Sequence, residues 1–415
     1  MCHSAAMTSI DFLIYAVALA GHIGILTRIT CAVHSAPWHH WAVRVVNTAI
    51  ALAGFVLPPL VAWGLYPERG ALIDRVAWTP AAKWAAGYVA FCALFGIGPV
   101  LWWMLRGVFV RPPAALQSSH AEIVDMTVNL GGKPVKGAYY QFLTSLPFNQ
   151  TFDLEISKKK IALGALPKKL DGLTITHLSD LHFSGRLDRR YFEEIVRHTN
   201  ALQSDLIAVT GDLVDKPFCI QWLPHTLGQL RAPLGVYFIL GNHDLRVDAA
   251  AVRDTLTESG LIDMGGRWTV IDVRGEQLLI AGNELPWIKP AANMQDSPPL
   301  APDGGPTRLL LAHTPDQFAW ARSHGFDLML AGHNHGGQFQ FPPIGPLVAP
   351  SRFGVKYASG TFYQEPTVMH VSRGISALVP VRFNCHPEVT AIELHALANP
   401  KRHKRNSTQV HSQRA

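Results

Sequence analysis

The sequence predicts an α/β chain in which an α-helical membrane region precedes a domain built on largely parallel strands. Three observations carry this. The first 110 residues hold three long stretches almost free of charge. The 415 residues are 48% hydrophobic and only 16% charged, against about 25% charge in a typical soluble domain. From residue 171 onward, short runs rich in Val, Ile, Leu and Phe each end in a small polar cluster, with helix-like stretches such as 188–201 and 248–259 between some of them, the rhythm of βαβ units.

In chain order, the apolar stretches cover residues 12–26, 45–66 and 84–105. A helix needs roughly 20 apolar residues to cross a hydrocarbon core about 30 Å thick. The second and third stretches meet that length and the first is marginal, so two or three transmembrane helices are expected within a membrane region of 1–110. His22 is the only strongly polar residue of the first stretch. Pro58, Pro59 and Pro99 would break a soluble helix but are tolerated in a membrane one. Trp63, Trp84, Trp102 and Trp103 fall near the ends of the stretches, where amphipathic rings favour the headgroup region. Residues 1–10 lack Lys and Arg, which argues against a signal peptide. Arg28, Arg44, Arg106 and Arg111 fall on one side, and Arg69, Arg75 and Lys83 on the other. The positive-inside rule then predicts a multi-pass cell-membrane protein with its C-terminal part in the cytoplasm.

Residues 111–150 read as a juxtamembrane connector, 151–398 as the functional domain, and 399–415 as a basic disordered tail containing Lys401, Arg402, Lys404 and Arg405. Five cysteines without tight spacing exclude a disulfide scaffold, and Cys219 and Cys385 read as ordinary thiols. The formal charge of +6 is mild. No basic–aromatic stripe of the kind single-strand binders use is present, so a nucleic-acid partner is not expected.

The strand-like runs define the site. Residues 173–178 lead to Asp180 and His182, 206–209 to Gly211 and Asp212, and 236–240 to Gly241, Asn242, His243 and Asp244; 309–312 lead to His313, and 328–331 to Gly332, His333 and His335. Such runs read as strands buried on both faces, and ligands bind beyond the carboxyl ends of strands in these sheets, so all five clusters should reach one rim. Asp180 and His182, two apart on an extended segment, would point the same way, as would His333 and His335. With Asp212, Asn242 and His313 they make seven ligand-type side chains. Carboxylate, imidazole and amide oxygen together suit Mn²⁺, Fe²⁺ or Zn²⁺. Seven ligands exceed what one ion takes and indicate two ions sharing a carboxylate, an arrangement that clamps the attacking and leaving oxygens of displacement at phosphorus. Each cluster alone is commonplace, a turn or a cap; five in sequence, each after a strand-like run, are not. His177, inside its run, reads as a packed structural residue.

The order D-x-H, GD, GNHD, H, GHxH resembles the calcineurin-like metallophosphoesterase superfamily over about residues 150–396. The closer likeness is to its bacterial membrane-associated branch, whose usual C-terminal part is similar to Val371-Ser372-Arg373-Gly374-Ile375, Pro380-Val381-Arg382-Phe383 and Pro387-Glu388-Val389-Thr390. The resemblance implies two mixed β-sheets packed as a sandwich with helices outside. It implies that Asp180, His182 and His335 bind one ion, that Asn242, His313 and His333 complete a second, and that Asp212 bridges them. His243 matches the catalytic histidine, placed to stabilise charge on phosphoryl oxygen and to protonate the leaving oxygen, and Asp244 the acid that orients it. Gly282-Asn283-Glu284 stands where similar proteins often carry acidic pairs, so substrate contacts there are expected to differ. The expected activity is hydrolysis of a phosphodiester or phosphomonoester by a two-metal-activated hydroxide. A membrane anchor would raise the effective concentration of a lipid-linked substrate. The alternatives are a UDP-2,3-diacylglucosamine pyrophosphohydrolase-like enzyme of lipid A synthesis, known among the resembling families, and a non-catalytic metal-binding membrane scaffold, against which the filled motif positions argue.

Overall fold

Three apolar helices open the chain: α1 (Ser9–His34), α2 (His40–Leu65) and α3 (Pro80–Phe109). All three are long and apolar enough to cross a bilayer. In this computed structural model the described residues are 9–65, 79–109, 111–300, 305–342 and 344–396; Arg69, Arg75 and the basic tail at 399–415 lie outside them. The first helix outruns its marginal apolar stretch, and the two threonines in its C-terminal half are satisfied within it. The hydroxyls of Thr27 and Thr30 donate to the carbonyls of Gly24 and Leu26, both at 3.0 Å, the back-bonding that lets Thr sit in a helix. Helix α2 runs through Pro58 and Pro59. Helices α1 and α3 meet at Gly21 and Gly96, where a Cβ on either would overlap backbone of the other helix, the small-residue packing of membrane helices. Beside that crossing, His22 Nδ1 lies 2.6 Å from Tyr88 Oη.

By its internal contacts the chain divides into two units, residues 1–111 with 341–354, and residues 112–340 with 355–415. The second unit begins earlier than expected. Residues 111–150 are more than a connector: β1 (Leu116–Asp125) pairs antiparallel with β2 (Asp153–Leu163), ending at Asp125 opposite Asp153. Asp125 then caps α4 (Met126–Asn129), accepting from the amides of Thr127 and Val128, and α5 (Ala138–Thr144) follows. Strand β1 leaves no signal in the sequence because it is an edge strand, exposed along most of both faces, and so lacks the buried stripe that marks a strand.

Ten further strands and one return strand complete the unit. They are β3 (Thr174–Leu178), β4 (Leu206–Thr210), β5 (Val236–Ile239), β6 (Ile262–Asp263), β7 (Trp268–Val273), β8 (Glu276–Asn283), β9 (Thr307–Ala312), β10 (Leu328–Ala331), β11 (Gly360–Gln364), β12 (Thr367–Val371) and β13 (Glu388–Ala396). One mixed sheet runs β1-β2-β13-β3-β4-β5-β6 and the other β11-β12-β10-β9-β8-β7. Strands β3, β4 and β5 are mutually parallel, as are β8, β9 and β10. Period-two alternation with both faces buried explains the continuous apolar runs. Leu206 and Ala208 join the inter-sheet core with Leu309, Leu311, Leu328 and Leu330. Ile207 and Val209 face the other way, into the layer containing Phe192, Ile195, Val252 and Leu256 of α6 (Arg189–Ala201) and α7 (Ala249–Glu258). Asp188 and Asp248 cap these helices, each side chain accepting from an amide of the first turn. Helix α8 (Phe318–Ser323) packs Phe318 and Ala321 against Leu310 and Met329 on the outer face of the second sheet. The unit is thus a sandwich of two mixed sheets between helical layers.

Candidate metal centre

The parallel strands of both sheets end beside one another, so five loops converge: those after β3, β4 and β5 from the first sheet and those after β9 and β10 from the second. They bring Asp180, His182, Asp212, Asn242, His313, His333 and His335 together, all buried or nearly so except Asn242, which is half-buried. Two triads form, Asp180 with His182 and His335, and Asp212 with His313 and His333; a third joins His182, Asp212 and His243, and within each triad the ligand atoms lie within 4.8 Å of one another.

Imidazole nitrogens and carboxyl or amide oxygens face one another. His182 Nε2 lies 3.1 Å from His335 Nε2, and His333 Nδ1 lies 3.1 Å from His313 Nε2. His335 Nε2 is 3.5 Å from Asp180 Oδ1. Asp212 Oδ2 reaches both halves, 3.7 Å from His182 Nε2 and 3.3 Å from His313 Nε2, and Asn242 Oδ1 is 3.2 Å from His313 Nε2. The far ring nitrogens of His313 and His335 are held by the protein: His313 Nδ1 lies 2.8 Å from the Thr210 carbonyl oxygen and His335 Nδ1 3.0 Å from that of Ser376. A buried imidazole whose outer N–H is engaged by a carbonyl presents its other lone pair inward, the disposition of a metal-ligating histidine. This mixture of carboxylate, imidazole and amide oxygen fits the binding of divalent metal.

The path to this convergence differs from the expected one. Asp180, His182, Asp212, His333 and His335 all adopt left-handed backbone, with φ between 48° and 70°. Neither D-x-H nor H-x-H is extended; each kinks at both of its functional residues, and the kinks, rather than strand alternation, aim the side chains. Backbone hydrogen bonds hold these turns. The His333 amide donates to the Asp180 carboxylate at 3.0 Å and the His243 amide to Asp212 Oδ1 at 2.8 Å. At Gly241 a Cβ would strike the Asp212 carboxylate and the His313 ring, so only glycine fits.

The electrostatics follow from burial and proximity. Burial opposes ionisation of Asp212, yet His313, His243 and His182 hold its carboxyl well below the usual carboxylate range. Burial lowers the His313 imidazole, but Asp212 and Asp180 beside it overcome this and push it up to about 9.

The expected partner of His243 is corrected. Asp244 does not orient its ring: Asp244 Oδ1 accepts from the amides of Leu213 and Val214 at 2.9 and 2.8 Å, and Oδ2 from Gly241 at 2.8 Å. It staples the loop after β4 to the loop after β5, and burial with Asp212 nearby pushes its carboxyl up to about 7. The ring of His243 is held instead by Asp215, whose Oδ1 lies 2.7 Å from His243 Nδ1 and 3.1 Å from His182 Nδ1. Asp215 escaped the sequence reading, although its place in the same loop as Asp212 was a usable signal. Two more neighbours escaped it. Trp287 sets its ring 4.8 Å from that of His333 and 5.6 Å from that of His313, and Arg246 Nη1 lies 3.4 Å from His243 Nδ1. Glu284 faces away from chemistry: Oε1 accepts from the Leu240 amide at 2.6 Å and Oε2 pairs with Arg253 Nη2 at 2.5 Å.

The family model for calcineurin-like phosphoesterases matches residues 173–337, which contain every residue of the centre. An uncharacterized metallophosphoesterase of Bacillus subtilis, YkuE, is 30% identical over 256 residues, 58% of this chain and 85% of that protein. The phosphodiesterase YaeI of Escherichia coli is 31% identical over 225 residues, 53% of this chain and 81% of its own length. A zebrafish (Danio rerio) transmembrane protein with a metallophosphoesterase domain is 26% identical over 279 residues, covering 62% of this chain and 60% of that one.

Proposed function

The chain belongs to the calcineurin-like phosphoesterase family, and from that premise we propose that it is a membrane-anchored phosphoesterase using two divalent ions on a lipid-linked phosphate ester. The observation that carries the two-ion reading is the Asp212 carboxylate standing between two donor sets. Asp180, His182 and His335 would hold one ion, Asn242, His313 and His333 the other, with Asp212 shared. Bound there, the ions would supply Lewis acidity at phosphorus and lower the pKa of a water. His243, its Nδ1 engaged by Asp215, keeps Nε2 for the substrate, where it stabilises phosphoryl charge and protonates the leaving oxygen. Asp215 positions this ring and Asp244 pins the loop that carries it.

Three helices of spanning length, and a relative named as a transmembrane protein, support anchoring in the membrane. The basic residues Arg28, Arg44, Arg106 and Arg111 favour a cytoplasmic catalytic unit. Anchoring confines the enzyme to the leaflet and so favours a substrate that resides there.

The test is hydrolysis of bis-p-nitrophenyl phosphate and p-nitrophenyl phosphate by the full chain, purified in detergent and loaded with Mn²⁺, Fe²⁺ or Zn²⁺. Turnover that is lost on chelation, and lost together with bound metal in Asp212→Asn, is expected, while His243→Ala should lower the rate and keep the metal. No turnover with any of the three metals overturns the reading. Mass spectrometry of a digested lipid extract then tests the lipid-linked substrate, and activity confined to water-soluble esters overturns that part.

A further inference from the structure

The catalytic unit carries a second surface that hydrolysis does not use. Tyr139, Phe142, Phe148, Phe339, Leu378 and Val379 are exposed, Phe142 by 63% and Phe148 by 79%. They come from three segments laced into one surface. Asn149 Nδ2 donates to the carbonyls of Leu143 and Pro380, both at 2.9 Å. The Phe383 amide donates to the Gln338 carbonyl at 2.9 Å, and the Phe148 and Phe383 rings meet edge to face with centroids 6.4 Å apart. Large exposed apolar patches mark interaction sites, and two features identify what this one meets.

The first is charge. Residues 126–152, 328–340 and 366–387, which carry these side chains, contain no Asp or Glu, and Asp153 is the acid that lines the depression beside Phe148 and Phe383. Lys133 and Lys136 are exposed along its border. Lys133 Nζ donates to the Thr144 carbonyl at 3.0 Å and to Ser145 Oγ at 2.9 Å. Arg186 donates to the Leu378 carbonyl and sets its guanidinium 5.5 Å from the centre of the Tyr140 ring. These cations therefore rest on carbonyls, a hydroxyl and a ring, with no carboxylate among these partners. The second is company: the same chain has three helices of bilayer-crossing length. Aromatic rings beside long basic side chains are the composition of an interfacial membrane contact, and a basic border selects anionic headgroups.

We propose that this surface docks on an anionic lipid leaflet, the rings entering the headgroup layer and Lys133, Lys136 and Arg186 meeting lipid phosphates. Its inner edge begins at the metal centre: Gln338 and Phe339 follow His335 in the chain, and Leu378 follows Ser376, whose carbonyl lies 3.0 Å from His335 Nδ1. Docking thus brings the His335 side of the centre to headgroup depth. The docking itself does not depend on hydrolysis; only this consequence for substrate delivery rests on the phosphoesterase reading.

Photo-crosslinking of the full chain in lipid nanodiscs tests it. With Phe148→p-benzoylphenylalanine, irradiation in nanodiscs containing phosphatidylglycerol should give a phospholipid adduct several-fold above that from the same label at Tyr363, exposed on β11 at 47%. The yield should fall in phosphatidylcholine alone, at high salt, and when Lys133→Gln and Lys136→Gln are combined. An adduct at 148 no greater than at 363, equal yields in both lipids, or crosslinks to protein in place of lipid each overturn the proposal. Adding Asp212→Asn should leave the adduct unchanged, which separates this outcome from failure of the hydrolytic reading.

Discussion

One oxygen of Asp215 serves two imidazoles, 3.1 Å from His182 Nδ1 and 2.7 Å from His243 Nδ1, so it fixes the tilt of a proposed ligand and of the proposed acid together. Asp215→Asn is expected to lower kcat on bis-p-nitrophenyl phosphate about 10–100-fold without a change in far-ultraviolet circular dichroism. Unchanged kcat would remove Asp215 from the mechanism. Asp244 carries a different load: its carboxylate accepts from three buried amides, and each amide left unsatisfied costs about 1–3 kcal/mol. Asp244→Ala should therefore lower the melting temperature of the catalytic unit, by about 3 kcal/mol in stability or more, whereas a loss of rate at unchanged stability would restore it to an orienting role. The ligand-type residues were legible in sequence because each ends a strand-like run. Asp215 had only its place in the loop of Asp212 to mark it, and Trp287 had nothing, since what assigns them is a contact between loops.

At the scale of elements, β3 and β12 bring His177 and His370 ring to ring, with centroids 5.4 Å apart. His177 Nε2 lies 2.8 Å from Thr210 Oγ1, which makes it the structural residue its place in the apolar run suggested. Burial pushes its imidazole down to about 3, and burial with Lys159 nearby holds that of His370 well below the ordinary histidine range. Both rings are neutral when folded and protonate near pH 6.5 once unfolded. Below pH 6.5 the unfolded chain thus binds more protons, and stability falls as pH drops, by up to about 1.4 kcal/mol per pH unit for each histidine. Chemical denaturation of the full chain between pH 7 and pH 5 should show this slope, and His370→Leu should flatten it by about one proton; an unchanged slope would refute the assignment. Central strands were legible because burial on both faces writes a continuous apolar run, while β1, exposed at the sheet edge, writes none.

For the whole molecule, the hydropathy of the first 110 residues announced helices long and apolar enough to cross a bilayer, and the five terminal clusters announced the convergence of the strands. That two sheets, rather than one, deliver the clusters was implied by resemblance alone, because strand pairing between distant segments leaves no local trace. The assembled centre packs the buried carboxylates of Asp180, Asp212 and Asp215 within one group of imidazoles, so cations bound there favour the folded state. Chelation should lower the melting temperature of the full chain, and Mn²⁺ should restore it with a dependence on concentration, by about 2.7 kcal/mol at a hundredfold excess over Kd. A melting temperature indifferent to both would show that the centre holds no metal. The left-handed turns at residues 180, 182, 212, 333 and 335 carry a consequence of another kind. The three histidines among them occupy a backbone basin that glycine enters freely, at roughly 1–2 kcal/mol apiece, and the two aspartates do so at less. In a lineage freed from chemistry these five sites would drift towards Gly and Asn, and its descendants would grow hardier as they fell silent.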